Sequence, residues 1–134
     1  MNYQNNISPM SFGMAYHTTG SKNFIKALRN KRNVQELTKL NNEMEAAKKA
    51  LAETKWAHVV SDGNEKGDLV HNVQYRFPVF NSESGRIEKW LSEYPKDSLP
   101  EAVDCALKQE AISSELNATM QETVKLMQET RFGG

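Results

Sequence analysis

The sequence predicts an α+β fold: a small antiparallel sheet, made of a hairpin plus an N-terminal strand, covered by two long and two short helices. Three observations carry this. From Leu69 to Val79 the chain alternates, with Leu69, His71, Val73, Tyr75, Phe77 and Val79 on one side and Asn72, Gln74, Arg76 and Pro78 on the other, the pattern of a half-buried strand. Trp56 to Val60 is short, aromatic and β-branched, and Gly63, Asn64 and Gly67 lie between the two runs, so a hairpin follows. Most other apolar residues recur at helical spacing, which leaves the hairpin as the sheet that helices cover.

The 134 residues suit a single domain over 1–134, with frayed tails at 1–8 and 131–134. In the N-terminal segment Met10, Phe12, Met14 and Tyr16 alternate with Ser11, Gly13, Ala15 and His17. Two strands alone are marginal in water, so this segment is expected to complete a three-stranded antiparallel sheet. Thr18 to Ser21 then reads as a turn that caps a short helix bearing Phe24, Ile25 and Leu28. Asn33 to Glu36 has the spacing of a capping box, and Val34, Leu37, Leu40, Met44, Ala47 and Leu51 give a longer helix its apolar stripe up to about Thr54. Beyond the hairpin, Ile87, Trp90, Leu91 and Tyr94 fit a short helix ended by Pro95. Ser98 to Glu101 is again a helix start, with Pro100 in the first turn, where its missing N–H costs little. The last helix is expected to run to about Thr130. Its stripe shifts from Leu99, Val103, Ala106 and Leu107 to Ile112, Leu116, Met120 and Met127, which marks Ser113 and Ser114 as a bend or as a handover from core to partner.

Several chemistries find no support. Asp62 to Gly67 has Asp, Asn and Gly at the first, third and sixth places of a calcium loop, but Lys66 and Val73 occupy the fifth and twelfth, where oxygen ligands are needed. Gly20, Ser21 and Lys22 lack the glycine spacing and the order of a phosphate-binding loop, so helix capping accounts for them. If Val60 pairs with Leu69, His58 and His71 face each other, yet two imidazoles make an incomplete metal site, and His17 and Cys105 have no ligand spacing. Cys105 is the single cysteine, so no internal disulfide forms. Carboxylates are scattered over helix faces. No cofactor, metal or catalytic residue is therefore assigned, and the reading leans away from an enzyme.

The net charge is zero, but its distribution is uneven. Residues 1–35 hold Lys22, Lys26, Arg29, Lys31 and Arg32 and no acid, whereas the last third is acidic. No run is apolar enough to span a membrane and no leader is evident, so a cytoplasmic protein is expected. The leading expectation is a non-catalytic protein-interaction module whose partner is another protein or a second copy, met through Ile112, Leu116, Met120 and Met127. The alternative is a nucleic-acid binder that grips phosphates with the five basic residues, with Tyr16 and Phe24 near enough to stack on bases. An enzyme whose groups converge only in space comes third.

Overall fold

The computed structural model describes residues 15–31 and 33–133. The expected tail at 1–8, the alternating residues Met10, Phe12 and Met14, and Arg32 lie outside them. The fold is α+β, with three helices and a small, open, four-stranded sheet. In chain order the elements are β1 (Tyr16–Thr18), α1 (Lys22–Asn30), α2 (Val34–Ala50), β2 (Ala57–Gly63), β3 (Leu69–Asn81), β4 (Arg86–Lys96) and α3 (Leu99–Gly133). The sheet order is β1-β2-β3-β4.

Two expectations about the sheet are corrected. β1 pairs with β2 in parallel, Tyr16 opposite Val59, because the two helices α1 and α2 carry the chain back before β2 begins. The stretch expected to be a short helix ending at Pro95 is strand β4, antiparallel to β3 from Arg86 opposite Asn81 to Lys96 opposite His71. Apolar residues at 87, 90, 91 and 94 satisfy a helical period, but they equally place Trp90 and Tyr94 on one sheet face and Ile87 and Leu91 on the other. β3 decides between the two. Its 13 residues outrun the seven of β2, and the excess backbone needs a partner.

The hairpin register also differs from expectation. His58 lies opposite Gln74, and Ser61 opposite His71. β2 continues to Gly63 because the turn is tight: Asn64 Oδ1 accepts from the Lys66 and Asp68 amides, and Gly67 supplies the positive φ of 84°. An odd shift of register moves one histidine to the opposite face. Gln74, expected to be exposed, is buried on that second face, where its amide donates to Glu93 Oε1.

The core lies on the face of Val59, Val73 and Tyr75. Met44 and Ala47 of α2, Leu51 at its C-cap, and Leu99, Ala102, Val103 and Ala106 of α3 pack onto it, with Phe77 and Cys105 half-buried at its margin. Trp56 is also half-buried rather than enclosed, and Lys89 Nζ lies 5.1 Å from its ring centroid. α1 seats on the far end of β2, where Gly63 is obligatory: a Cβ there would overlap the Asn23 carbonyl. Ser21 caps α1, accepting from Phe24 N, and the Ser21 and Thr19 hydroxyls both donate to Asp62 Oδ1 at 2.7 Å. Burial pushes the Asp62 carboxyl up, but hydrogen bonds from Ser21, Thr19 and Gly63 outweigh it and hold the group below the usual range. Asp62→Ala is expected to lose about 1–2 kcal/mol in urea titration, with α1 amides losing hydrogen-exchange protection first.

Helix α3 is continuous through Ser113 and Ser114, so the helix does not break where its stripe shifts. Glu110 Oε1 accepts three successive backbone N–H groups, from Lys55, Trp56 and Ala57, at 3.0, 2.6 and 3.1 Å. One turn on, buried Ser113 donates from Oγ to the Arg76 carbonyl, whose own N–H reaches Trp56 O. The helix thus takes over the edge of β3 where β2 ends. The Arg76–Trp56 bond also fixes the alternation: even-numbered residues of β3 direct their backbone groups toward the β2 side. Pro78 therefore stands where an N–H would point past the end of β2, and in β4 the Pro95 nitrogen points away from β3. Farther along, Val124, Met127 and Gln128 line a hollow of about 160 Å³ together with Phe80 and Gly85 of the hairpin tip.

Candidate functional site

The most distinctive surface lies where β4 runs beside α3. In an antiparallel pair, directly opposed side chains share a face, so Trp90 stands beside Phe77 and Tyr94 beside Val73. The aromatic rings form a ladder. Tyr75 stacks on Tyr94 with centroids 5.6 Å apart, Tyr75 and Phe77 are 6.1 Å apart, and Phe77 and Trp90 are 6.4 Å apart. Its inner members are covered by the core, whereas Trp90 is 55% and Tyr94 45% exposed. The neighbouring Tyr75 hydroxyl raises the Tyr94 phenol above its usual pKa, with smaller contributions from burial and the Cys105 thiol. Ile112 is two turns beyond Cys105 on the same side of α3, and Leu116 one turn farther.

The residues expected to meet a partner separate in a graded way. Ile112 and Met127 are each 55% exposed and Leu116 is 38% exposed, while Met120 is half-buried toward the hairpin. Ser113, Asn117, Met120 and Val124 form the inward side of the helix, and Ile112 and Leu116 form its shoulder. Trp90 and Tyr94 are the exposed large apolar residues of β4, the strand that α3 also contacts. Sequence reasoning missed them as surface residues because it placed them on a helix with an inward apolar face.

The basic segment behaves differently. Lys22, Lys26 and Arg29 are exposed on α1, and Lys31 is half-buried. α1 packs on β2 and β3. Among the described residues the ion pair within 4.0 Å is Lys48–Glu45, so these cations do not pair with the acidic α3. Tyr16 and Phe24, the rings expected to be available for stacking, are both buried.

The histidines also part company. His17 and His58 stack on the second sheet face with centroids 5.9 Å apart, and His17 Nδ1 and His58 Nε2 are buried with no partner among the described residues. Burial, and secondarily the charges of His17 and Arg76, push His58 down to about 4 against the opposing pull of Gln74 and Glu93. His71 lies on the core face instead. It lines a polar cleft of about 700 Å³ between α2, the β2–β3 turn and the start of α3. Burial, with help from Lys31, holds its pKa near 4 although Asp97 acts the other way. Among the described residues no cluster of three or more His, Cys, Asp and Glu is disposed to hold a metal. No described helix is long and apolar enough to cross a membrane.

No protein-family model matches this chain, and no curated protein and no solved structure matches it significantly.

Proposed function

We propose that this protein is a non-catalytic interaction module that pairs with a second copy of itself through the surface formed by Trp90 and Tyr94 of β4 and by Ile112 and Leu116 of α3. The observation that carries this reading is the exposed end of the aromatic ladder beside an exposed apolar helix shoulder. Large aromatic side chains with a half-buried base are rigid contacts that lose little entropy when covered. Ile112 and Leu116 next to them add apolar area to a facing surface. Zero net charge supports a second copy as the partner, since two like molecules then approach without long-range repulsion. The nucleic-acid reading is weaker, because Tyr16 and Phe24 are occupied by the core and leave phosphate contacts alone to supply affinity.

Sedimentation equilibrium tests this. The expected result is a reversible dimer whose dissociation constant rises about tenfold or more in Leu116→Glu and in Trp90→Glu, with unchanged circular dichroism. A monomer at every accessible concentration would overturn self-association. A dimer indifferent to both substitutions would place its interface elsewhere.

A further inference from the structure

We propose that the surface formed by α1 and the first turn of α2 docks on an anionic lipid bilayer, with Lys22, Lys26 and Arg29 meeting the charged headgroups and with Ile25 and Val34 entering the boundary between headgroups and acyl chains. This surface shares no residue with the one proposed for self-association.

α1 exposes Lys22, Lys26 and Arg29, holds Lys31 half-buried and contains no acid. Among the described residues none of these cations has a carboxylate within 4.0 Å, so their charge faces solvent. Neighbouring acids are engaged elsewhere. Asp62, beside the start of α1, accepts from the Ser21 and Thr19 hydroxyls and from the Gly63 amide. Glu36 of α2 and Asp68 of the β2–β3 turn line the polar cleft that also holds His71 and Asp97. That turn, held to α1 by the Asn30 amide donating to the Gly67 carbonyl, adds Glu65 and Lys66, whose charges cancel.

Apolar groups stand among the cations. Phe24 and Leu28 of α1 and Leu37, Leu40 and Met44 of α2 line a hollow of about 250 Å³ between the two helices. Ile25 precedes Leu28, and Val34 precedes Leu37, by one i,i+3 step, which sets both on the outer rim of that hollow. Val34 is 76% exposed, the most of any large apolar residue described, and Ile25 is 43% exposed. Ile25 also lies one i,i+3 step from Lys22 and one i,i+4 step from Arg29, so its tip is framed by two positive charges. Aliphatic tips that protrude this far are stabilised by leaving water for an apolar medium. Cations around such tips suit a surface that lies in the plane of an anionic membrane. Nucleic acid fits less well: its phosphates answer the cations but offer nothing to Ile25 and Val34, and the rings that could stack on bases, Tyr16 and Phe24, are buried.

Co-sedimentation of the full-length chain with lipid vesicles tests this. Vesicles of phosphatidylcholine and phosphatidylserine at about two to one should bind the protein, and vesicles of phosphatidylcholine alone should bind it about tenfold more weakly or worse. Binding to the anionic vesicles should fall steeply as ionic strength rises from about 0.1 M to about 0.5 M, because the screening length shrinks. Lys26→Gln combined with Arg29→Gln should lower the partition coefficient about tenfold or more. Ile25→Ser combined with Val34→Ser should lower it about fivefold or more and leave the salt dependence in place. All four positions are exposed, so thermal unfolding should change little in either variant. The proposal is overturned if anionic vesicles bind no more protein than neutral ones, or if the Ile25 and Val34 variant binds as tightly as the parent. It is equally overturned if an oligonucleotide at the same phosphate concentration strips the protein from the vesicles, which would make nucleic acid the partner.

Discussion

Replacing Glu110 with alanine is expected to destabilise the fold by about 3 kcal/mol, a large share of the stability of a domain this size. One carboxylate oxygen accepts the amides of Lys55 and Trp56, just before β2, and of Ala57, its first residue. Trp56 O in turn holds Arg76 N, the final rung between β2 and β3. Truncation leaves partly buried donors unpaired and loosens the point where helix, strand and loop converge. Charge matters as well as geometry, since an ionised acceptor makes the stronger hydrogen bond. Glu110→Gln keeps an oxygen in place and should therefore cost only about 1 kcal/mol. Glu122→Ala, on the exposed side of the same helix, should fall within about 0.5 kcal/mol of the parent. Urea titration of the three variants distinguishes the cases, and a Glu110→Ala loss as small as that of Glu122→Ala would remove the carboxylate from any structural role.

The second large effect is a loss of stability in mild acid. His58 and His71 are held near pKa 4 in the folded chain, chiefly by burial, against 6.5 for a free imidazole. Between those values the unfolded chain binds protons that the folded chain refuses. Stability is therefore complete above about pH 6.5 and falls as the pH drops toward 4, by about 2 kcal/mol for each histidine once solvent screening is allowed for. Asp62 contributes in a separate window: its lowered pKa stabilises the fold above the ordinary carboxylate range and is lost only as the pH falls through that lower value. Urea midpoints measured from pH 7.5 to 5 isolate the histidines. His58→Gln and His71→Gln should each flatten that dependence whatever they do to absolute stability at neutral pH. An unchanged slope in both would show that these imidazoles titrate alike in the folded and unfolded chains, and so are not held down by burial.

What could be read from the sequence is what is decided locally. The alternation from Leu69 to Val79 put Val73 and Tyr75 on the core face, where they lie. Ser21 and Asn33 both cap their helices, but Asn33 does so by accepting from Gln35 N and not through the expected box with Glu36. β4 was misread because an aromatic strand with apolar residues on both faces satisfies a helical period, and only the length of β3, matched residue by residue, removes the ambiguity. The register was misread because the Asn64 side chain closes a tighter turn than residue types alone indicate. The surface proposed for self-association was half legible: the Ile112 and Leu116 shoulder shows in the helical spacing, but Trp90 and Tyr94 enter the proposal only through strand pairing. A chain of hydrogen bonds runs from Tyr16 through Ser61 to His71 across 45 and then 10 residues of sequence, and no spacing rule connects its members.

The two prolines of the long hairpin bear on what sort of assembly this chain can make. A sheet grows between molecules when an exposed edge offers a run of backbone donors, and growth by that route has no natural end, because each added strand presents a new edge. Here Pro78 interrupts the donors on the flank of β3 left free by β2, and Pro95 interrupts those on the outer flank of β4. Contact through the face of Trp90, Tyr94, Ile112 and Leu116 obeys another arithmetic: a two-fold pair covers both copies of the patch and leaves none to recruit a third. The proposed pairing would thus give a counted complex and not an open-ended fibre.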